Sequence, residues 1–453
     1  MTKLPAILFA SLSLLQATCA MAATPLEQRL DAALAPMFKP GWPGATVIVT
    51  RDGKPVFRKA YGLANVAEDT PMQPDMQLRI GSITKQFTAV GILMLEEQGK
   101  LSVKDDVRKY LPDFPDKGST ITIEHLLQQT SGIPNYTALK GFRDLPDEGV
   151  TLRQVFDVFA REPLDFAPGD RYSYSNSGYF LLGLIIEKLS GMKYHDFVAK
   201  NIFDPLGMQD TAHEGFERSG KRHIKGHRLN GTQIVPVKDI DVTLAYSAGA
   251  LVSTVDDMAR WDAAVSSGKL LKPATWRQAF TSCRLPKEAP CNYGYGWNIG
   301  ALAGHRMIHH GGSIPGFTAQ ALRLPDDKVF VAVLTNGNGG AVNTPVIAHK
   351  AAGIAIGRPF TDFKAITLAP HALDAFVGTY VSPDRIKRVV RRDGDKLVMQ
   401  REGRDAAPIF AHAPDSFFME GSLASLEFRR GADGAVHSLL VRQPGADETA
   451  LRQ

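Results

Sequence analysis

A chain of 453 residues that is 44% hydrophobic and 22% charged is too apolar for a disordered polymer and long enough to enclose a buried cleft. Its formal net charge of +5 is slight for that length. No Lys/Arg block with interleaved aromatics occurs, so nucleic acid is excluded as an expected partner.

The N-terminus carries Lys3, an almost wholly apolar or small run from Leu4 to Leu15, and the small-residue pattern Ala20-Met21-Ala22. That order reads as a secretory signal peptide over residues 1–22. The run falls short of the ~20 residues that span a bilayer, so no membrane span is expected after cleavage. Gln16 and Thr18 fit a lipobox around Cys19 poorly, which favours a freely exported, periplasmic or extracellular product. Cleavage leaves Cys283 and Cys291. Their close spacing across the loop-like Leu-Pro-Lys-Glu-Ala-Pro suits a disulfide in an oxidising compartment, with two unpaired buried thiols as the alternative. Two cysteines without a histidine cluster make a poor zinc site, and no cofactor is expected.

Ala45 to Gly62 predicts a β-hairpin, its arms flanking Arg51-Asp52-Gly53. Ser82 to Gln98 predicts a helix with apolar residues at Phe87, Val90, Leu93 and Leu95 and a stop at Gly99. Gly178 to Leu189 and Asp256 to Val265 predict two more. From His305 to Asn336 the pattern returns to β, with runs Phe317 to Leu324 and Val329 to Thr335 joined by Pro325-Asp326-Asp327-Lys328. Strands bracketing a helical middle suggest an α+β fold, an antiparallel sheet with helices beside it. Composition shifts near residues 360–372. Beyond lie short β-type runs at 376–381, 388–392, 396–400, 416–419, 426–429 and 436–441, which predict a small β-barrel or meander. The expected division is a leader over 1–22, a catalytic domain over 23–360 and a small β domain over 361–453.

Three motifs carry chemistry. In Ser82-Ile83-Thr84-Lys85 the spacing puts a hydroxyl and an amine on one helix face, and a neutral lysine can take the serine's proton. The pattern recurs at Ser266-Ser267-Gly268-Lys269, but only Ser82 opens an amphipathic helix. Tyr174-Ser175-Asn176 offers a phenol for proton transfer and an amide that both donates and accepts. In His309-His310-Gly311-Gly312-Ser313, paired glycines allow bare backbone N–H groups to approach a ligand. Read singly, each also fits a bland role: a chance match, a core aromatic, a Gly-rich turn.

Together and in this order, the motifs resemble those of the serine β-lactamase and penicillin-binding-protein superfamily, whose signatures include Ser-x-x-Lys and a Lys-Thr-Gly element. The class C branch, with Tyr-x-Asn in the middle position, is the most similar. Gln129-Thr130-Ser131-Gly132-Ile133-Pro134, Pro168-Gly169, Asp204-Pro205-Leu206-Gly207-Met208, Gly249 to Thr254 and Tyr295-Gly296-Trp297 extend the resemblance over roughly residues 25 to 350. It implies a β-lactamase/transpeptidase-like fold, with Ser82 as acyl-accepting nucleophile and Lys85 and Tyr174 as the proton-transfer pair. Asn176 would position Lys85 and the substrate amide. The third element corresponds to His-x-Gly in several carboxypeptidases and D-aminopeptidases. The family's further glycine, matched by Gly316, selects His310 with Gly312 over His309. Ser313 would then supply an oxyanion-hole N–H beside that of Ser82.

The leading expectation is a hydrolase of D-amino-acid amides or peptides, D-Ala-D-Ala carboxypeptidase- or D-aminopeptidase-like, on a small-molecule or peptide substrate that includes peptidoglycan fragments. β-Lactams or carboxylic esters are alternatives on the same site. A catalytically silent penicillin-binding or scaffold protein is an alternative of another class, which the intact motifs count against. A Ser-His-Asp hydrolase lacks its Gly-x-Ser-x-Gly elbow, no HExxH occurs, and His223 with His227 reads as a solvated loop pair. Oligomeric state stays open at this level.

Overall fold

The computed structural model describes residues 25–216, 224–286, 291–445 and 447–453; the leader and His223 lie outside them. The expected hairpin is β1 (Ala45–Arg51) and β2 (Lys54–Tyr61). Asp52 and Gly53 at its tip have φ of 50° and 73°, the left-handed pair that a tight hairpin turn requires. β3 (Asn298–Leu302), β4 (His305–Ile314), β5 (Phe317–Leu324) and β6 (Val329–Thr335) complete a six-stranded antiparallel sheet in the order β3-β4-β5-β6-β1-β2. Strands far apart in sequence thus pair within the sheet, with Ala45 opposite Thr335 and Arg51 opposite Val329.

The helices that position the site are α1 (Pro25–Leu34), α2 (Thr84–Glu97), α3 (Asn176–Ser190), α4 (Val255–Ser266) and α5 (Thr344–Ala355). Strand side chains alternate between faces, and here both faces are buried. Val47, Val49, Leu322, Val331 and Val333 pack with Leu30 of α1 and Ile347 and Ala351 of α5. Ile48, Ala319, Ala321, Ala332 and Leu334 face the helical region and its central α2. Two-sided burial explains why β6 reads as a continuous apolar run. From Thr84 to Leu93 every residue of α2 is buried, so the helix is surrounded on all sides. Trp261 of α4 locks onto it, its ring tilted against Phe87 at 4.3 Å between centroids and its indole donating to Gln86 Oε1 at 2.8 Å.

After α5 the chain closes an eight-stranded antiparallel barrel: β7 (Gly378–Val381), β8 (Lys387–Asp393), β9 (Lys396–Arg401), β10 (Ala406–Ala413), β11 (Ser416–Phe418), β12 (Ser425–Arg430), β13 (Val436–Arg442) and β14 (Asp447–Arg452). Sequence reading missed β10, rich in Ala, Pro and His, and β14, mostly polar. Barrel closure imposes strand pairing where β-propensity is poor. It also missed α1 and α5. Phe376, Phe417, Phe428, Leu397 and Leu439 fill the barrel's apolar centre. Asn343, at the start of α5, donates to Gly421 O at 2.7 Å, and Ala303 N donates to Pro444 O at 3.0 Å, tying barrel to sheet.

Two readings are corrected or completed here. His227 is not solvated: it is buried and receives Val66 N–H at 3.4 Å, because a strand over His227–Asn230 carries it under the loop at 66. Cys283 and Cys291 are joined as a disulfide. Among the described residues, no helix is long and apolar enough to cross a membrane.

Candidate active site

Ser82 lies in a single 3-10 turn, Gly81–Ile83, that runs straight into α2. The segment before it is pinned twice. Leu78–Arg79 pairs with Leu251–Ser253, and Ile80 N donates to Leu251 O at 3.0 Å. Arg79 itself forms a buried bidentate pair with Glu214 at 2.5 and 2.7 Å. Gly81 has φ +51°, and a Cβ there would stand 2.8 Å from Ser313 N. A Cβ on Gly312 would run into Ile80 O and reach within 3.3 Å of Ser82 N. These two glycines let β4 press its backbone against the serine turn, leaving the N–H groups of Ser82 and Ser313 at one junction. Gly312→Ala therefore should push the strand off the turn and lower turnover ~100-fold while the fold persists, as measured by steady-state rates beside circular dichroism.

Lys85, one helical turn after Ser82, is wholly buried. Its Nζ lies 2.8 Å from Asn176 Oδ1, 2.8 Å from Ala248 O and 3.2 Å from Ser82 Oγ. Burial lowers the ammonium well below the usual lysine range. A neutral amine has two N–H donors and one lone pair, and the surroundings match that count. The carbonyl and amide oxygens, which can only accept, take the two donors, and the lone pair meets the Ser82 hydroxyl.

Asn176 opens α3, two residues earlier than the sequence pattern indicates, with its N–H donated to Asn135 Oδ1 at 3.1 Å. Gln129 grips both sides of Tyr174, taking Ser173 N–H on its carbonyl at 2.9 Å and Ser175 N–H on its side chain at 2.8 Å. It does so at φ +63°, a costly conformation for a residue with a Cβ. The Tyr174 ring faces Lys85 Nζ at 4.8 Å. Its hydroxyl is closed to solvent and has no partner at hydrogen-bonding geometry among the described residues, an arrangement that buried polar groups rarely tolerate outside a functional site. Burial pushes that phenol up, with the nearby Ser82 hydroxyl pulling the other way.

On β4 the alternation of faces separates the two histidines. Ile308, His310, Gly312 and Ile314 share the face toward the helical region, where Ile308 and Ile314 join its core. Met307 and His309 point to the opposite face, where His309 meets His349 of α5. His310 is 3% exposed, its ring 6.2 Å from that of Tyr174, and burial pushes it down to about 3. It is therefore a neutral imidazole at pH 7.

All seven sequence-selected residues gather at this junction, but not on one surface. Ser82, Asn176 and Ser313 line a cleft of about 350 Å³ whose other walls include Tyr136, Phe142 and Leu244. Lys85, Tyr174, His310 and Gly312 are not part of that lining. No barrel residue lines it among the described residues. The second Ser-x-x-Lys ends α4: Gly268 at φ +71° stops the helix, and Ser266 accepts from Arg323 at 2.7 Å. Sequence reasoning gave no role to Ala248, Gln129 or Tyr293. Tyr293 stands two residues before the quoted Tyr295-Gly296-Trp297 and two after Cys291, a signal that was available; nothing in the sequence singles out a backbone carbonyl such as that of Ala248.

Comparison with known proteins shows the family and the fold. Residues 26–355 match the family model described as Beta-lactamase, and residues 363–453 match one described as a domain of unknown function (DUF3471). Penicillin-binding protein 4* of Bacillus subtilis (strain 168) is 28% identical over 435 residues, covering 90% of this chain and 94% of that protein. The octameric penicillin-binding protein homologue from Pyrococcus abyssi superposes with a TM-score of 0.66 at 26% identity, covering 94% of this chain and 99% of that one. A D-stereospecific amidohydrolase from Streptomyces sp. gives a TM-score of 0.60 at 26% identity, over 72% of this chain and 98% of its own. The chain belongs to the Beta-lactamase family, a member of the serine hydrolase superfamily that includes the penicillin-binding proteins.

Proposed function

We propose that this protein is an exported serine hydrolase that forms an acyl-enzyme on Ser82 and cleaves D-amino-acid amides or short D-peptides. The observation that carries the mechanism is the Lys85 amine, with two acceptors on its N–H groups and its third contact on Ser82 Oγ. Ser82 Oγ attacks the substrate carbonyl carbon as its proton passes to Lys85 Nζ. The oxyanion forms between the N–H groups of Ser82 and Ser313. Tyr174, its hydroxyl unpartnered, passes a proton to the departing amine, and Asn176 orients Lys85 and the substrate amide. Water then attacks the ester, with the same pair returning the protons.

Substrate preference follows from the cleft wall. It presents Tyr136, Phe142, Leu244 and Ile314 and no charged side chain among the described residues. A terminal carboxylate, as in D-Ala-D-Ala or an opened penicillin, wants a cation there, and the buried neutral His310 supplies none. An uncharged leaving group and an apolar acyl side chain suit this surface, in line with the named activity of the Streptomyces amidohydrolase. Export is supported by the leader pattern and by the disulfide, since such bridges persist in oxidising compartments.

A panel of nitrocefin, a short-chain nitrophenyl ester, D-Ala-D-Ala peptides and D-aminoacyl amides, each run beside Ser82→Ala, tests the reading. Apolar D-aminoacyl amides should be hydrolysed with the highest kcat/KM. A clear preference for the free carboxylate of D-Ala-D-Ala over its amide would overturn the substrate class without touching the Ser82 assignment.

A further inference from the structure

Tyr293 is 1% exposed, and its hydroxyl lies 3.0 Å from His310 Nε2. On the other side of the imidazole, Nδ1 lies 2.6 Å from Gly311 O. A carbonyl can only accept, so Nδ1 carries the single proton of the neutral ring. Nε2 is then the acceptor and the Tyr293 O–H the donor. Tyr293 thus fixes both the tautomer and the plane of His310, and it packs edge-on to Tyr174 at 6.5 Å between ring centroids.

The backbone around Tyr293 is held in an unusual way. Its carbonyl accepts Cys283 N–H at 3.0 Å, and Cys283 is bridged to Cys291, two residues before it. Among the described residues, Cys283, Cys291 and Tyr293 form a small apolar cluster joined by the partly buried Tyr172 and Leu285. The bridge adds a covalent tie to that hydrogen bond and to the ring packing of Tyr293 on Tyr172, Tyr174 and His310.

We propose that Tyr293 is a positioning residue for His310, and that the Cys283–Cys291 disulfide holds it there, so that opening the bridge lowers turnover through Tyr293. The proposal rests on acyl transfer at Ser82. The bridge opens by reduction: two electrons and two protons from a dithiol convert it to two thiols, and the dithiol closes to its own disulfide.

The test uses the full-length protein and three readouts, with dithiothreitol as reductant. Hydrolysis of a nitrophenyl ester should fall roughly 10- to 100-fold in Tyr293→Phe, and likewise in reduced wild type. Reduction of Tyr293→Phe should add less than ~3-fold, because both changes act through one contact. Losses that multiply would overturn the coupling. In nitrogen-15 spectra, the His310 resonance, identified by its loss in His310→Gln, should report an Nδ1–H tautomer in oxidised wild type. It should shift in Tyr293→Phe and on reduction; an unmoved resonance would overturn the positioning role. If Tyr293→Phe does not fold, reduction of wild type read on the same resonance decides. Fluorophosphonate labelling at Ser82 is run on each sample. Absent labelling of the oxidised wild type would sink the acyl-transfer reading, while the His310 resonance still answers for Tyr293.

Discussion

Ser82→Ala should abolish covalent labelling by a fluorescent penicillin or fluorophosphonate and lower turnover by at least ~10⁴-fold. The substitution removes one half-buried hydroxyl, 3.2 Å from Lys85 Nζ, so the fold should be unaffected. The turn that carries it is held by Ile80 N–H on Leu251 O and by the Arg79–Glu214 pair, neither of which involves the serine side chain. Intact-mass spectrometry after incubation with the reagent gives the decisive readout. Equal adducts on wild type and Ser82→Ala would place the nucleophile elsewhere.

The second large effect concerns Lys85. Lys85→Met and Lys85→Arg should both lose ~10²- to 10⁴-fold in kcat, because neither offers a neutral amine. Arginine keeps a cation that is never deprotonated, so an active Lys85→Arg would refute proton abstraction by this residue. The pH profile follows from the same burial. The rate should fall on the acid side as pH drops through the lowered Lys85 value. On the alkaline side the raised Tyr174 phenol keeps its proton beyond the usual range.

Stability should follow the same pH direction. Unfolded Lys85 is protonated below about 10.5, whereas burial holds the folded value well below that, so between the two values unfolding takes up a proton. Stability from this group is present above the unfolded value and is lost as pH falls toward the lowered one. Lys85→Met removes that slope, and thermal melts should show a Tm at neutral pH no lower than wild type. A buried ionisable group kept at the cost of stability is what a functional site retains.

The sequence by itself determined the local parts. Alternation and turn residues specified β1, β2, β5 and β6 almost to the residue, since a half-buried or buried strand flanked by Asp-Gly or Pro-Asp admits few other conformations. The i, i+3 spacing of Ser82 and Lys85 put their side chains on one face of a helix before any fold was known. The Cys283–Cys291 pair was legible because a separation of 8 positions in loop-like sequence leaves the thiols close in any compact conformation.

What only the tertiary structure decided was everything that depends on burial and on contacts distant in sequence. The Lys85 ammonium is destabilised because α2 is enclosed around it, and no local pattern reveals enclosure. Asn176, Ala248 and Tyr293 reach the site from positions 91 to 208 residues after Lys85, through packing of α3, the 246–249 turn and the segment before β3. The alternation of β4 places His310 and not His309 toward Lys85, yet which face looks at the helices is set by how the sheet is covered. Ser82 is thus named by its sequence neighbours. Its reactivity is conferred by residues that only folding brings within hydrogen-bonding distance of Lys85 and His310.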